Sequence, residues 1–150
     1  MYKTISEDKL TKVHSISKLT YPIIKNLCEL TNRCDYLLDL VEEKYGLDSI
    51  IFCGTGTSGA IILSTLHSIK PVNVCLVNTG HSKHRDDIVL AGECSSPRKT
   101  MFVDDLIASG CTYRKVNNLI NIDIIALVAQ TVLLDIEELD NKESIIIYND

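Results

Sequence analysis

Tryptophan is absent from the 150 residues, and phenylalanine occurs only twice. With six tyrosines as the remaining rings, the chain offers few flat faces on which nucleic-acid bases could stack. Excess positive charge is missing as well: 15 Lys and Arg stand against 20 Asp and Glu, a formal charge of −5. That balance, without a basic stripe interleaved with aromatics, argues against nucleic acid as a partner. No apolar run approaches the roughly 20 residues that a membrane helix requires. The opening MYKTISEDKLTK is polar and holds no signal-peptide core. A soluble, cytoplasmic protein with no membrane partner is the expectation. Cys-x-x-Cys does not occur among the six cysteines (28, 34, 53, 75, 94 and 111). Cys53 and Cys75 lie inside apolar, strand-like runs, so reduced and mostly buried thiols are expected. His81 and His84, with Cys94 nearby, do not match the spacing of a closed zinc site.

What is present suffices for one domain with a full core: 45% of the residues are hydrophobic, and a chain of this length buries roughly 70% of its unfolded surface. Residues 1–47 read as helical. Thr4-x-x-Glu7 has capping-box spacing ahead of Leu10, Val13 and Ile16. A second helical stretch opens near Thr20 and runs through Leu27, Cys34, Leu37, Leu38 and Val41, as one helix or as two broken near Asn32. Gly46 is its expected stop. Residues 48–150 form the core of the same single domain. Ser49–Cys53 predicts a buried strand, residues 60–69 a helix ending before Pro71, and Val72–Val77 the next strand. Residues 79–99 are long, polar and charged, with an extended piece expected at Ile88–Ala91; a connection of that kind reads as a flexible lid. Further strands are expected at Met101–Val103, Ile122–Ala129 and Ile145–Tyr148. Apolar strands alternating with helices indicate an α/β fold, with a mainly parallel sheet covered on both faces.

Two stretches carry chemistry. Gly54-Thr55-Gly56-Thr57-Ser58-Gly59 follows the first strand and matches the dinucleotide-binding glycine pattern. The ribose-binding acid expected about 20 residues on is replaced by Val77-Asn78-Thr79. A phosphate-binding turn, a dinucleotide site and a tight turn without a ligand all remain open from these letters. In the second stretch, Thr100 to Thr112, an apolar strand is expected to end at Asp104 and Asp105. A small-residue loop follows, and then a helix from about Thr112. Adjacent carboxylates, a hydroxyl-bearing turn and a helix N-terminus suit a phosphate beside a polyol or a metal.

Phe102-Val-Asp-Asp-Leu-Ile-Ala-Ser-Gly-Cys-Thr112 closely resembles the phosphoribosyl-pyrophosphate motif of type I phosphoribosyltransferases, and order and spacing agree over about residues 48–130. The resemblance implies that Asp104 and Asp105 hold the ribose hydroxyls as the catalytic pair and reach Mg²⁺ through its bound waters. It implies that Ala108, Ser109, Gly110, Cys111 and Thr112 cradle the 5′-phosphate, and that Gly54, Thr55, Gly56, Thr57, Ser58 and Gly59 bind pyrophosphate. Lys83, His84 and Arg85 become candidate pyrophosphate contacts from the lid. Ala108 stands where the hypoxanthine-guanine branch carries a further Asp, so the chain looks more like the adenine and orotate branches. The implied activity is transfer of ribose 5-phosphate from magnesium phosphoribosyl pyrophosphate to a nitrogenous base. Family members are often dimers, which makes a homodimer an implication of the resemblance. The absence of Lys or Arg after Val77 motivates a rival reading, a non-catalytic module of the same fold that senses a phosphosugar or nucleotide. A dinucleotide-binding Rossmann domain is the third.

Overall fold

The computed structural model describes residues 27–80, 88–94, 98–107, 110–120, 124–132 and 143–146. Helix α1 spans Leu27–Lys44. Its buried residues, Leu30, Cys34, Leu37, Leu38 and Val41, recur at the spacing that lines one helical face. The helix runs unbroken through Asn32, and the backbone N–H of Gly46 closes it by donating to the carbonyls of Val41 and Glu42 at 3.1 and 3.2 Å. The expected helix around residues 4–16 lies outside the described residues.

A short 3₁₀ turn, Leu47–Ser49, leads into strand β1, Ile50–Thr55. Helix α2 is Gly56–Ile69, β2 is Asn73–Val77 and β3 is Val89–Gly92. They are followed by β4 (Lys99–Ile107), helix α3 (Cys111–Ile120), β5 (Ile124–Val132) and β6 (Glu143–Ile146). Among the described residues, six strands form one sheet in the order β3-β2-β1-β4-β5-β6. All neighbours pair in parallel except β2 and β3, which are antiparallel.

Strand alternation sorts the core into two layers. Ile50, Phe52, Met101 and Val103 pack against α1 and α2, where Leu37, Leu38, Ile62 and Leu66 meet them. Ile51, Cys53, Cys75, Val77 and Phe102 face the other way, against Tyr113 and Val116 of α3. Covering both faces is why these strands read as continuous apolar runs. Phe52, fully buried at the centre of the α1/α2 layer, is a site where truncation to Ala would cost about 3–5 kcal/mol.

Two expectations need correction. Strand β4 does not end at the acidic pair but continues through it to Ile107, because β5 supplies a partner along that whole length: Asp104 pairs with Ala129 and Ile107 with Val132. The cysteines are not all thiols, since Cys75 and Cys94 are joined in a disulfide. The antiparallel return of β3 explains it: Gly92 lies opposite Cys75, which brings Cys94 beside it two residues later. Cys34 and Cys53 are buried thiols, and Cys28 and Cys111 are exposed and outside any disulfide.

Candidate functional site

The pairing of β1 with β4 runs from Ile50–Lys99 to Cys53–Phe102. Beyond that point β1 turns into α2 while β4 runs on against β5. Asp104 and Asp105 therefore stand at the carboxyl edge of the sheet, where β4 has lost one neighbour. On one side of this point the chain order steps to β2, on the other to β5. Open α/β sheets bind ligands at such a reversal, outside the carboxyl ends of their strands.

The glycine turn fills the space that β1 leaves. Gly54 and Thr55 are the last residues of β1 and Gly56–Gly59 the first turn of α2, so the expected loop is almost entirely strand end and helix start. Gly54 and Gly59 are glycines because their backbones touch. A Cβ on Gly59 would lie 2.9 Å from the Gly54 carbonyl carbon, and one on Gly54 would lie 3.0 Å from the Gly59 Cα. Gly56 holds φ +67°, a conformation that L side chains rarely adopt. Letter by letter, then, the pattern is accounted for by helix–strand packing and a tight reversal. A Cβ on Gly54 would also lie 3.3 Å from the Val103 carbonyl oxygen, which sets the turn directly beside the residue before Asp104.

The Thr55 hydroxyl donates to the Val77 carbonyl at 2.7 Å. That bond ties the turn to the end of β2, so this hydroxyl serves the scaffold. Thr57 is exposed and Ser58 half-buried at the start of α2, where backbone N–H groups of a first helical turn lack intrahelical acceptors. Across the edge, Gly110 is buried and its carbonyl accepts from the Arg114 N–H at 3.1 Å, opening α3. Cys111 and Thr112 are exposed on the first turn of that helix. Tyr113 anchors the helix, fully buried with its ring centroid 6.4 Å from that of Phe102. Ala108 and Ser109, and the lid candidates Lys83, His84 and Arg85, lie outside the described residues.

Asp104 is the most perturbed acid of the site. Burial, then the hydrogen bond and charge of the neighbouring Asp105 carboxyl, push its pKa up to about 8. The Asp105 backbone N–H donates to Asp104 Oδ1 at 2.8 Å and works in the opposite direction. Hydroxyl donors or a cation arriving at the pair would favour its ionised form and draw that pKa back down. The oxygen-only donor set of the pair suits magnesium rather than a softer ion.

The sequence missed a cleft of about 430 Å³ on the other flank of the turn. Thr55, Gly56 and Thr57 line it together with Asn78 and Thr79 at the end of β2, while Ala60, Ile61, Leu76 and Leu90 make its apolar wall. Asp104 and Asp105 do not border it. Thr79 is 8% exposed, and no local signal marks the cleft in the sequence, because its walls come from α2, β2 and β3. Within 79–99, the stretch Val89–Gly92 is held on the sheet edge as β3. The Asn78 N–H donates to the Ile88 carbonyl at 2.8 Å, and the Gly80 N–H donates to Asn78 Oδ1 at 3.0 Å.

Solved structures of phosphoribosyltransferases share this architecture. The adenine phosphoribosyltransferase of Thermoanaerobacter pseudethanolicus superposes with a TM-score of 0.62 at 15% identity, over 85% of this chain and 84% of that one. The orotate phosphoribosyltransferase of Francisella tularensis gives 0.59 at 16% identity, over 80% of this chain and 66% of that one. The orotate phosphoribosyltransferase of Aeropyrum pernix gives 0.51 at 16% identity, over 76% and 70%. The chain thus spans just under two-thirds of the Francisella enzyme's length. No protein-family model and no curated protein sequence matches. The fold is that of the type I phosphoribosyltransferases, with adenine and orotate enzymes among its structural neighbours.

Proposed function

We propose that the protein is a phosphoribosyltransferase that attaches ribose 5-phosphate from magnesium phosphoribosyl pyrophosphate to a nitrogenous base. The observation that carries this reading is the position of Asp104 and Asp105. They stand where β4 outruns β1, beside the Gly54–Gly59 turn and ahead of the α3 N-terminus. In this reading the two carboxylates accept hydrogen bonds from the ribose hydroxyls. Backbone amides around Gly110–Thr112, at the positive end of α3, hold the 5′-phosphate. The amides of the glycine turn hold the pyrophosphate. Magnesium, when bound, supplies positive charge to the departing phosphates, and the Asp104/Asp105 oxygens are the protein groups that would hold it or its waters.

The chemistry asks little covalent help of the chain. A base nitrogen attacks the ribose C1, the C1–oxygen bond to pyrophosphate breaks, and the base's excess proton leaves to solvent. Positive charge gathers on the ribose and negative charge on the leaving group, so fixed dipoles and a held geometry do the work. Incubation with the donor, Mg²⁺ and a panel of purine and pyrimidine bases tests it: one base should release pyrophosphate, and Asp105→Asn should lower that rate about a hundredfold with folding intact. Wild-type turnover in Asp105→Asn would sink the assignment.

One observation favours a second reading, a sensor of phosphosugar or nucleotide without turnover. The end of β2 carries no Lys or Arg over Val77-Asn78-Thr79-Gly80, and Asn78 is engaged with Ile88 and Gly80 instead. Donor binding without pyrophosphate release from any base selects this reading.

A further inference from the structure

On the α3 face of the sheet, directly below the glycine turn, three sulfurs converge. Cys53 and Cys75 are register partners on the parallel strands β1 and β2, and both are fully buried. Cys94, half-buried just after β3, reaches them from the sheet edge. The three Sγ atoms all lie within 4.8 Å of one another. A cation bound by thiolates at about 2.3 Å brings its sulfurs to roughly 3.8 Å apart. Cys75 and Cys94, bonded to each other here, reach that spacing once reduction and side-chain rotation separate their sulfurs, with Cys53 already alongside.

We propose that Cys53, Cys75 and Cys94, when all are reduced, form a binding site for one thiophilic cation of the zinc class. The Cys75–Cys94 disulfide is then the oxidised, metal-free form of the same site. A thiol reductant converts one to the other: two reductant thiols give up two electrons and two protons, becoming a disulfide, and Cys75 and Cys94 become thiols. Binding replaces three thiol protons with one divalent cation and leaves a net charge of −1. Burial raises the Cys53 thiol pKa, a cost that the cation must offset; Cys94, the half-buried sulfur, is the side on which a water can complete four ligands. Three soft donors select zinc-like or cuprous ions over magnesium, so this site and the carboxylate pair do not compete for one metal. Cys34 cannot contribute, because it lies on the buried face of α1, on the opposite side of the sheet.

The test uses the full chain with the exposed thiols removed by Cys28→Ser and Cys111→Ser, reduced by a phosphine without oxygen and titrated with Co²⁺. The expected result is one Co²⁺ per chain, with a thiolate-to-cobalt charge-transfer band of three-sulfur intensity that Zn²⁺ abolishes. Re-forming the bridge beforehand should remove the band. Cys94→Ala, at the half-buried position least needed for folding, should weaken binding at least about tenfold. Absence of the band at stoichiometric Co²⁺ in reduced protein, or an undiminished band in Cys94→Ala, overturns the proposal and leaves the three cysteines as packing residues.

Discussion

Burial and the neighbouring Asp105 hold the Asp104 carboxyl at about 8, against 3.8 for a free one. Between those values the native state keeps a proton that the unfolded chain has lost. The contribution of Asp104 to stability is therefore full below pH 3.8 and drains away as pH rises through about 8. Asp104→Asn, which is neutral at every pH, should gain stability over the wild type across that window. The gain should reach on the order of 1–3 kcal/mol at pH 8, read as a difference in urea midpoints. A difference that stays flat from pH 4 to 8 would contradict the assignment. At Gly59 the conflict is steric. An added Cβ meets the Gly54 backbone at 2.9 Å, with no flexible atom to yield. Gly59→Ala should destabilise by about 1–3 kcal/mol in equilibrium denaturation, and an unchanged midpoint would show that the strand–helix approach is looser than described.

Among the elements, β3 depends most on a single covalent tie. It is short, antiparallel and at the edge, and the Cys75–Cys94 bridge closes a loop with a sequence separation of 19. Opening the bridge in the presence of a chelator should lower stability by about 2–4 kcal/mol, with amide exchange rising first along β3. Exchange spread evenly over the sheet would count against that local role. Most elements were legible in the sequence, because their signals are local. The α1 face at Cys34, Leu37, Leu38 and Val41, the Gly46 stop and the boundary before Pro71 each rest on spacing or on one punctuating residue, while Leu27, read as part of that face, is 59% exposed at the helix start. The true length of β4 was not legible, since it is set by β5, a partner far along the chain. The bridge was hidden for the same reason: Cys94 meets Cys75 only once β3 has folded back.

At the scale of the molecule, the antiparallel third strand in the order β3-β2-β1-β4-β5-β6 separates this sheet from an all-parallel dinucleotide-binding one. Asn78, standing where the ribose acid of such a domain is expected, agrees with that separation. The glycine pattern pointed both ways because the same three glycines satisfy a packing need common to many strand–helix turns. The acidic pair was readable as a site from its sequence neighbours alone. So was its placement on the same sheet edge as the turn, since both loops follow strands of one parallel sheet; the close approach of the Gly54 backbone to Val103 was not, because packing across half the core sequence sets it. Both the transferase and the sensor readings require that this edge bind phosphoribosyl pyrophosphate, whether or not a base then reacts. Calorimetric titration of the donor into the full chain, with and without Mg²⁺, tests it most directly. Saturable binding of one donor per chain, dependent on Mg²⁺ and lost in Asp105→Asn, is the expected result. Absence of binding, or equal binding in Asp105→Asn, would contradict it.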